Sequence, residues 1–203
     1  MKVLGFVKIQ QGKGQNNMKI RAFFLALLFT LLLLPAAGGA AGLADEEMEL
    51  GGIRLGDTRE EVEDVYGEGD HIADGVTEWG GTTVHIFACD YGDSLVVQYR
   101  DEGDACRVIG VHLGVNNVNK YNERPSDEAK MIETPSGIHL DSTLEDLNAV
   151  YGYIPKPECS HNAPPVCGYF YDSADADAAL AFYICKEHSP GIRSIWLREK
   201  RTR

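Results

Sequence analysis

The stretch Gly52-Ile53-Arg54-Leu55-Gly56-Asp57-Thr58-Arg59-Glu60-Glu61-Val62-Glu63-Asp64-Val65-Tyr66-Gly67 recurs in related form later in the chain, with eight of its sixteen residues identical. It returns at residues 137–152 as Gly-Ile-His-Leu-Asp-Ser-Thr-Leu-Glu-Asp-Leu-Asn-Ala-Val-Tyr-Gly, at a constant offset of 85 residues. A repeat at a fixed offset indicates a copied structural unit. Two copies are too few for a solenoid, so the sequence predicts one small unit that has been duplicated.

Each copy has the features of a short helix. Asp57 and Ser142 are favoured N-cap residues, and Glu60 and Glu145 stand three places later, as in a capping box. Spacings of three and four residues predict one buried face per helix, formed by Val62, Val65 and Tyr66 and by Leu147, Val150 and Tyr151. Helices of about ten residues are unstable alone in water. Each helix is therefore expected to pack on a sheet.

Strand candidates follow both helices. In the first copy they lie at 82–89, 94–101 and 107–113, after a Gly- and Asp-rich loop that carries Trp79. The second copy places apolar segments in matching order, and 95–99 aligns with 180–184 at the same offset of 85. The sequence therefore predicts an α+β fold of two tandem units, each a short helix on a three-stranded or four-stranded antiparallel meander.

The first 44 residues are predicted to lie outside this fold. Residues 18–44 combine a basic start, an apolar run and small residues, as a secretory signal peptide does. An uncleaved membrane anchor is the alternative, since 22–44 is long enough to span a bilayer. Residues 1–17 precede a complete signal start at Met18 and are predicted to be a spurious extension. The first unit then covers 45–115, a linker 116–136 and the second unit 137–203.

Charge and compartment narrow the classes of function. The chain has 19 basic and 31 acidic side chains, and five of the basic ones lie in the first 44 residues. The remaining excess of acid argues against binding to nucleic acid and to membranes in the mature form, where clustered Lys and Arg supply affinity. No cysteine lies directly after the apolar run, where a lipid anchor would be attached, so we expect a secreted or extracytoplasmic protein that is not lipid-anchored. Surface acids that merely maintain solubility are the simpler explanation of the charge.

Five cysteines in an exported chain suggest two disulfides and one free thiol. Cys159 and Cys167 flank a Pro-rich loop and are candidates for a local pair. A bond between Cys167 and Cys185 is the rival, because the two end neighbouring strands. Cys89 and Cys106 fall at opposite ends of the first meander, too far apart for a disulfide.

Strand periodicity separates two faces of the predicted sheets. Val97 and Phe182, with the alternate residues beside them, are expected to face the helices. The opposite face would carry an aromatic group that marks a binding surface. Its members are Tyr169, Tyr171, Tyr183 and Trp196. The alternative is that this face is covered by the rest of the chain and belongs to the core.

Other chemistry is weakly indicated. Cys159, His161 and Cys167 match no zinc spacing well, and the acidic turn 172–177 lacks the Gly and distal Glu of a calcium loop. The six histidines are scattered along the chain, and no hydrolase, metalloprotease or phosphate-binding motif is present. The sequence therefore predicts no catalytic residue, no metal ligand and no cofactor.

The pattern Gly-Ile-x-Leu-Gly-Asp-Thr with a closing Tyr-Gly at 52–67, followed by a meander, resembles the repeat of beta-lactamase-inhibitor-like proteins. It is also similar to small outer-membrane assembly lipoproteins of the SmpA/OmlA type. The resemblance implies two units whose sheets line up into a surface that grips a target enzyme. It transfers no contact residue to this chain.

The sequence thus predicts a secreted bacterial, non-catalytic binding protein. Its partner is expected to be a protein or a cell-envelope component, with inhibition of an exported enzyme as one form of such binding. One alternative is a secreted enzyme or cation-binding protein that uses the acidic turns and the Cys/His loop. A structural envelope protein is the other.

Overall fold

The computed structural model describes residues 42–79, 81–114, 124–161, 165–185 and 191–200. The predicted extension at 1–17 and most of the predicted signal peptide lie outside these residues, as does part of the predicted linker. Among the described residues no helix is long and apolar enough to cross a membrane.

The fold is dominated by one antiparallel sheet of eight strands. A separate small sheet pairs β1 (Glu49–Leu50) with β2 (Ile53–Arg54). The large sheet has the spatial order β3-β4-β5-β6-β10-β9-β8-β7. Its strands are β3 (Asp70–Trp79), β4 (Thr82–Asp90), β5 (Leu95–Asp101), β6 (Cys106–Gly114), β7 (Glu158–Cys159), β8 (Cys167–Asp172), β9 (Ala178–Ile184) and β10 (Ile192–Glu199).

The predicted fold class of two tandem helix-on-meander units is wrong. β6 pairs directly with β10 through five residue pairs, from Gly114 with Ser194 to Gly110 with Arg198. The strands of both copies therefore belong to a single sheet. The physical reason is that the last strand of each separate meander would expose a row of unpaired backbone groups, and pairing β6 with β10 removes both edges.

β3 was predicted to be a loop, and this prediction is also wrong. The strand runs beside β4 with a bulge between His71 and Ala73, and it ends the sheet on that side. Its residues are exposed or half-buried, so it lacks the apolar alternation that identifies a half-buried strand. The dipeptide Gly80-Gly81 between Trp79 and Thr82 was the available signal, since such pairs close two-residue hairpins.

Among the described residues, three α-helices and one 3-10 helix accompany the sheets. They are α1 (Arg59–Tyr66), α2 (Asp127–Lys130), α3 (Leu144–Tyr151) and the 3-10 helix Asp45–Glu47. α1 and α3 begin with complete capping boxes and are closed by glycines with positive φ. The caps are Thr58 and Thr143, one position later than predicted, with Glu61 and Asp146 as their partners.

The helices cover one face of the sheet, called here the inner face. Val62, Ala129 and Leu147 are the buried residues of the three α-helices, and all belong to the core cluster on this face. Val97 and Phe182 lie in the same cluster, fully buried as the strand periodicity predicted. The predicted helix faces were too wide, because Val65 and Val150 remain 69% and 42% exposed.

Cys159 and Cys167 form the disulfide, which confirms the local pairing predicted from the sequence. The two residues lie opposite each other where β7 pairs with β8. The rival bond to Cys185 does not form; Cys185, Cys89 and Cys106 are free thiols.

Candidate binding surface on the outer face of the sheet

The outer face of the sheet, opposite the helices, carries two of the four predicted binding residues. Tyr183 and Trp196 lie on it, and both are half-buried. Tyr169 and Tyr171 lie on the inner face, so their predicted position was wrong. Residues paired across antiparallel strands share a face, and Tyr169 pairs with Phe182, a core residue.

Tyr171 is part of the core instead of a binding surface. Its hydroxyl donates to the carbonyl of Gly152 at 3.0 Å, and its ring lies 5.4 Å from that of Tyr151 in α3. Burial raises the pKa of Tyr171 to about 12. The side chain therefore ties the end of α3 to β8 and is not available to a partner.

Phe170 lies on the outer face, where Tyr169 and Tyr171 were predicted to lie. It pairs with Ala181, which in turn pairs with Trp196. The rings of Phe170 and Tyr183 meet edge to face with centroids 5.9 Å apart, and those of Tyr183 and Trp196 are 5.8 Å apart. His112 on β6 continues the row, with its ring 4.8 Å from Trp196. We name these four residues the outer aromatic cluster.

Small residues let the rings lie against the sheet. A Cβ atom at Gly168 would come 2.8 Å from the ring of Phe170 and 3.0 Å from that of Tyr183. Ala181, beneath the middle of the row, is fully buried. The cluster is therefore held in place by close contact with the backbone, and only its upper surface faces outward.

Hydrogen bonds to Ser194 fix Trp196 and His112, which form one end of the row. The indole Nε1 donates to Ser194 Oγ at 2.8 Å, and His112 Nε2 lies 2.9 Å from the same oxygen. Burial lowers the pKa of His112 to about 4, so its imidazole is neutral at neutral pH. Because Trp196 Nε1 and His112 Nε2 both have Ser194 Oγ as a partner, this network fixes the orientation of the two rings.

The contact of His112 with Ser194 does not make a catalytic pair. Ser194 is 1% exposed and its oxygen already accepts the indole proton. A nucleophile has to reach its substrate, and a general base works best with a pKa near the working pH. His112 and Ser194 meet neither requirement.

Two arginine–aromatic contacts extend the outer face on either side of the cluster. Arg198 lies over Phe170 at 5.8 Å from the ring centre, and Arg100 over Trp79 at 5.0 Å. Trp79 and Arg100 also line an open cleft of about 590 Å³. Two salt bridges hold Arg100 there: Nη2 lies 2.8 Å from Glu102 Oε1, and Nη1 lies 2.9 Å from Glu199 Oε2. The outer face thus combines aromatic and guanidinium groups.

Two histidines and an aspartate that the sequence did not predict as a site form a cluster on the inner side of the β3–β4 hairpin. His71 and His85 each place Nε2 2.6 Å from one oxygen of Asp74. Their hydrogen bonds, with that of His71 the larger influence, hold the pKa of Asp74 below its usual value. No group of His, Cys, Asp or Glu in the described residues has the geometry to hold a metal ion. The sequence does not predict this cluster, because β3 lacks the apolar alternation of a strand and the pairing of His71 and Asp74 with β4 depends on it.

The acidic turn and the Cys/His loop do not assemble a site in the part of the chain that is described. Asp172 pairs with Lys200 at 3.1 Å, and Ser173 Oγ accepts the backbone N–H groups of Asp175 and Ala176. Cys159 and Cys167 are consumed by their disulfide. His188, another of the scattered histidines, lies outside the described residues.

Comparisons of this chain with protein-family models, with curated proteins and with solved structures found no match. Its function is therefore inferred from the outer face itself.

Proposed function

We propose that this chain is an exported, non-catalytic binding protein that holds a partner protein against the outer aromatic cluster. The observation that carries the proposal is a row of aromatic rings on four neighbouring strands. Three of these rings are half-buried. Phe170, Tyr183 and Trp196 keep part of their surface exposed. Rigid aromatic side chains give contact area at a small entropy cost, and they dominate the energetics of protein interfaces.

The chemistry around the cluster favours a protein as the partner. Arg198 beside Phe170 and Arg100 beside Trp79 add the other residue type that is enriched at interface centres. The excess of acidic side chains over the whole chain would steer a basic protein toward this one during encounter. The resemblance to inhibitor repeats supports testing exported enzymes among the partners.

Export is part of the proposal. The predicted signal peptide at 18–44 and the Cys159–Cys167 disulfide agree with an oxidising compartment outside the cytoplasm. We also propose that the chain arose by internal duplication. The threonine caps of α1 and α3 and their closing glycines stand at the same offset of 85 residues.

Site-specific photo-crosslinking tests where a partner binds. A photoreactive residue at Gln98, exposed on the outer face, should capture the partner from culture supernatant or envelope extract. The same residue at Val65, exposed on α1, should not. Equal capture at both positions would show that the outer face has no special role.

Substitution then tests the cluster itself. Trp196→Ala should weaken binding of the captured partner by tenfold or more, as loss of a central aromatic residue does. Tyr153→Ala is the matched control, because Tyr153 is 73% exposed away from the cluster. Binding constants unchanged by Trp196→Ala, in a variant with native circular dichroism, would reject the proposal.

A further inference from the structure

A β-bulge in β10 directs a charged side chain into the protein. Ile192 pairs with Ile184 and Ser194 with Tyr183, so Arg193 is the extra residue between two ladder pairs. Bulges of this kind re-aim a side chain and occur next to functional sites. Here the guanidinium turns toward the residues that precede α3, and its Nη1 donates to Asp141 Oδ1 at 2.8 Å.

The guanidinium of Arg193 is buried with most of its donors unused. Its side chain is 2% exposed, and within the described residues Nε and Nη2 have no hydrogen-bond partner. Buried polar groups without a partner are rare in native proteins, and a charged one is especially costly. Nε and Nη2 form one edge of the planar group, and this edge matches two oxygens of a carboxylate or phosphate.

Asp141, the residue that binds Arg193, has an unusual backbone conformation. Its φ of 71° lies in the left-handed region, where the corresponding residue of the first copy is Gly56 with φ 89°. A glycine adopts this conformation without strain, whereas strained non-glycine residues concentrate at functional sites. Its carboxylate also lies 3.1 Å from Lys130 Nζ, so one acidic group stands between two cations.

The local charges do not balance. Arg193 and Lys130 contribute two positive charges against the single negative charge of Asp141. Asp127 lies 3.6 Å from Lys130, but its side chain is 97% exposed and solvent screens it. Lys130 and Asp141 are 28% and 32% exposed, so the cluster reaches the surface on their side. One further anion would complete it.

We propose that Arg193, Lys130 and Asp141 form a binding site for a single small oxyanion, a carboxylate or phosphate group. Nε and Nη2 of Arg193 donate to two of its oxygens, and Lys130 supplies the balancing charge. Asp141 orients the guanidinium from the opposite edge. The site lies on the inner side of the sheet, and it is separate from the outer aromatic cluster.

The test measures anion binding to the purified chain in solution. Acetate and phosphate are added separately, each against chloride at the same ionic strength, and the Nε–H resonance of Arg193 is followed by NMR together with the melting temperature. We expect a saturable shift of that resonance with one of the two, and a melting temperature that rises with its concentration. N-acetyl-alanyl-alanine tests whether a peptide carboxylate binds in place of a free anion.

Variants make the outcome decisive. Arg193→Lys keeps the charge but lacks the two-donor edge, and it should lose the saturable response. Lys130→Gln removes the balancing charge at a partly exposed position, so the variant should fold and bind the anion several-fold more weakly. Val65→Ala, at an exposed position on α1, should leave anion binding unchanged.

Two results would overturn the proposal. If neither anion shifts the Arg193 resonance beyond chloride, the two donors bind water only. If Lys130→Gln or Arg193→Lys folds and keeps the response of the parent protein unaltered, the anion is bound elsewhere as an adventitious ion only. Both results leave the role of the outer face untouched, because no outer-face residue takes part.

Discussion

Thr143 fixes the first turn of α3 through two reciprocal hydrogen bonds. Its Oγ1 accepts the backbone N–H of Asp146 at 3.1 Å, and its own N–H donates to Asp146 Oδ2 at 2.8 Å. Replacement of an N-cap threonine by alanine leaves an N–H group of the first turn without its acceptor.

We expect Thr143→Ala to lower the free energy of unfolding by about 1 kcal/mol. Glu145→Ala, on the same exposed turn, is the control and should change it by less than about 0.5 kcal/mol. Urea denaturation followed by circular dichroism measures both. Equal losses in the two variants would mean that the capping box contributes little.

His112 makes stability depend on pH. Burial lowers its pKa from 6.5 to about 4, so the folded protein binds the proton less readily than the unfolded chain. The contribution of neutral His112 to the free energy of unfolding is complete above pH 6.5, and it is lost as the pH falls from 6.5 toward 4. By pH 5 the loss is about 2 kcal/mol, since one pKa unit corresponds to about 1.4 kcal/mol.

The variant His112→Gln separates this effect from other titrations. It should show a weaker fall in the free energy of unfolding than the parent protein between pH 7 and pH 5. Urea midpoints at the two pH values provide the measurement. Parallel pH profiles for the two proteins would show that His112 is not responsible.

At the scale of elements, Leu147 contributes more than Val150 to the packing of α3 on the sheet. Leu147 is fully buried in the core, whereas Val150, one turn later, is 42% exposed. We expect Leu147→Ala to cost about 2–5 kcal/mol, because it removes transfer energy and leaves a cavity. Val150→Ala is the matched control and should cost much less. Similar losses in a denaturation experiment would contradict this description of the helix.

The elements with strong local signals were predicted from the sequence. Both longer helices carry caps, acidic first turns and closing glycines, and the central strands show apolar alternation. These signals lie within about ten residues of one another, so the sequence alone predicts the elements. The sequence allowed Cys167 to pair with Cys159 or with Cys185. The short loop between Cys159 and Cys167 favoured the local bond, which the structure contains.

Features that depend on distant contacts were not predictable in this way. The union of β6 with β10 is decided by strand edges, which leave no pattern within either strand. Two of the candidate binding residues, Tyr169 and Tyr171, were placed on the wrong face because the register of β8 against β9 was unknown. The buried Arg193 lies in a bulge, where the period of two that assigns faces is broken.

For the whole molecule, one sheet implies cooperative unfolding of both sequence copies. The two tryptophans of the chain report on opposite regions, Trp79 at the end of β3 and Trp196 in β10. In Trp79→Phe and Trp196→Phe, the remaining indole should report the same transition as far-UV circular dichroism does. A fluorescence midpoint that departs from the circular dichroism midpoint in either variant would show that the two halves unfold separately.

Leu43 belongs to the fold, although it lies near the end of the predicted signal peptide. Its backbone N–H donates to Asp172 at 2.7 Å, its carbonyl accepts from Ala174 at 2.8 Å, and its side chain packs at the core margin. Cleavage of that predicted peptide after Ala40 or Ala41 would leave this short strap on the protein. Cleavage after Ala44 would remove it and expose the turn that follows β8. The choice of scissile bond would thereby set how firmly the new amino terminus is anchored.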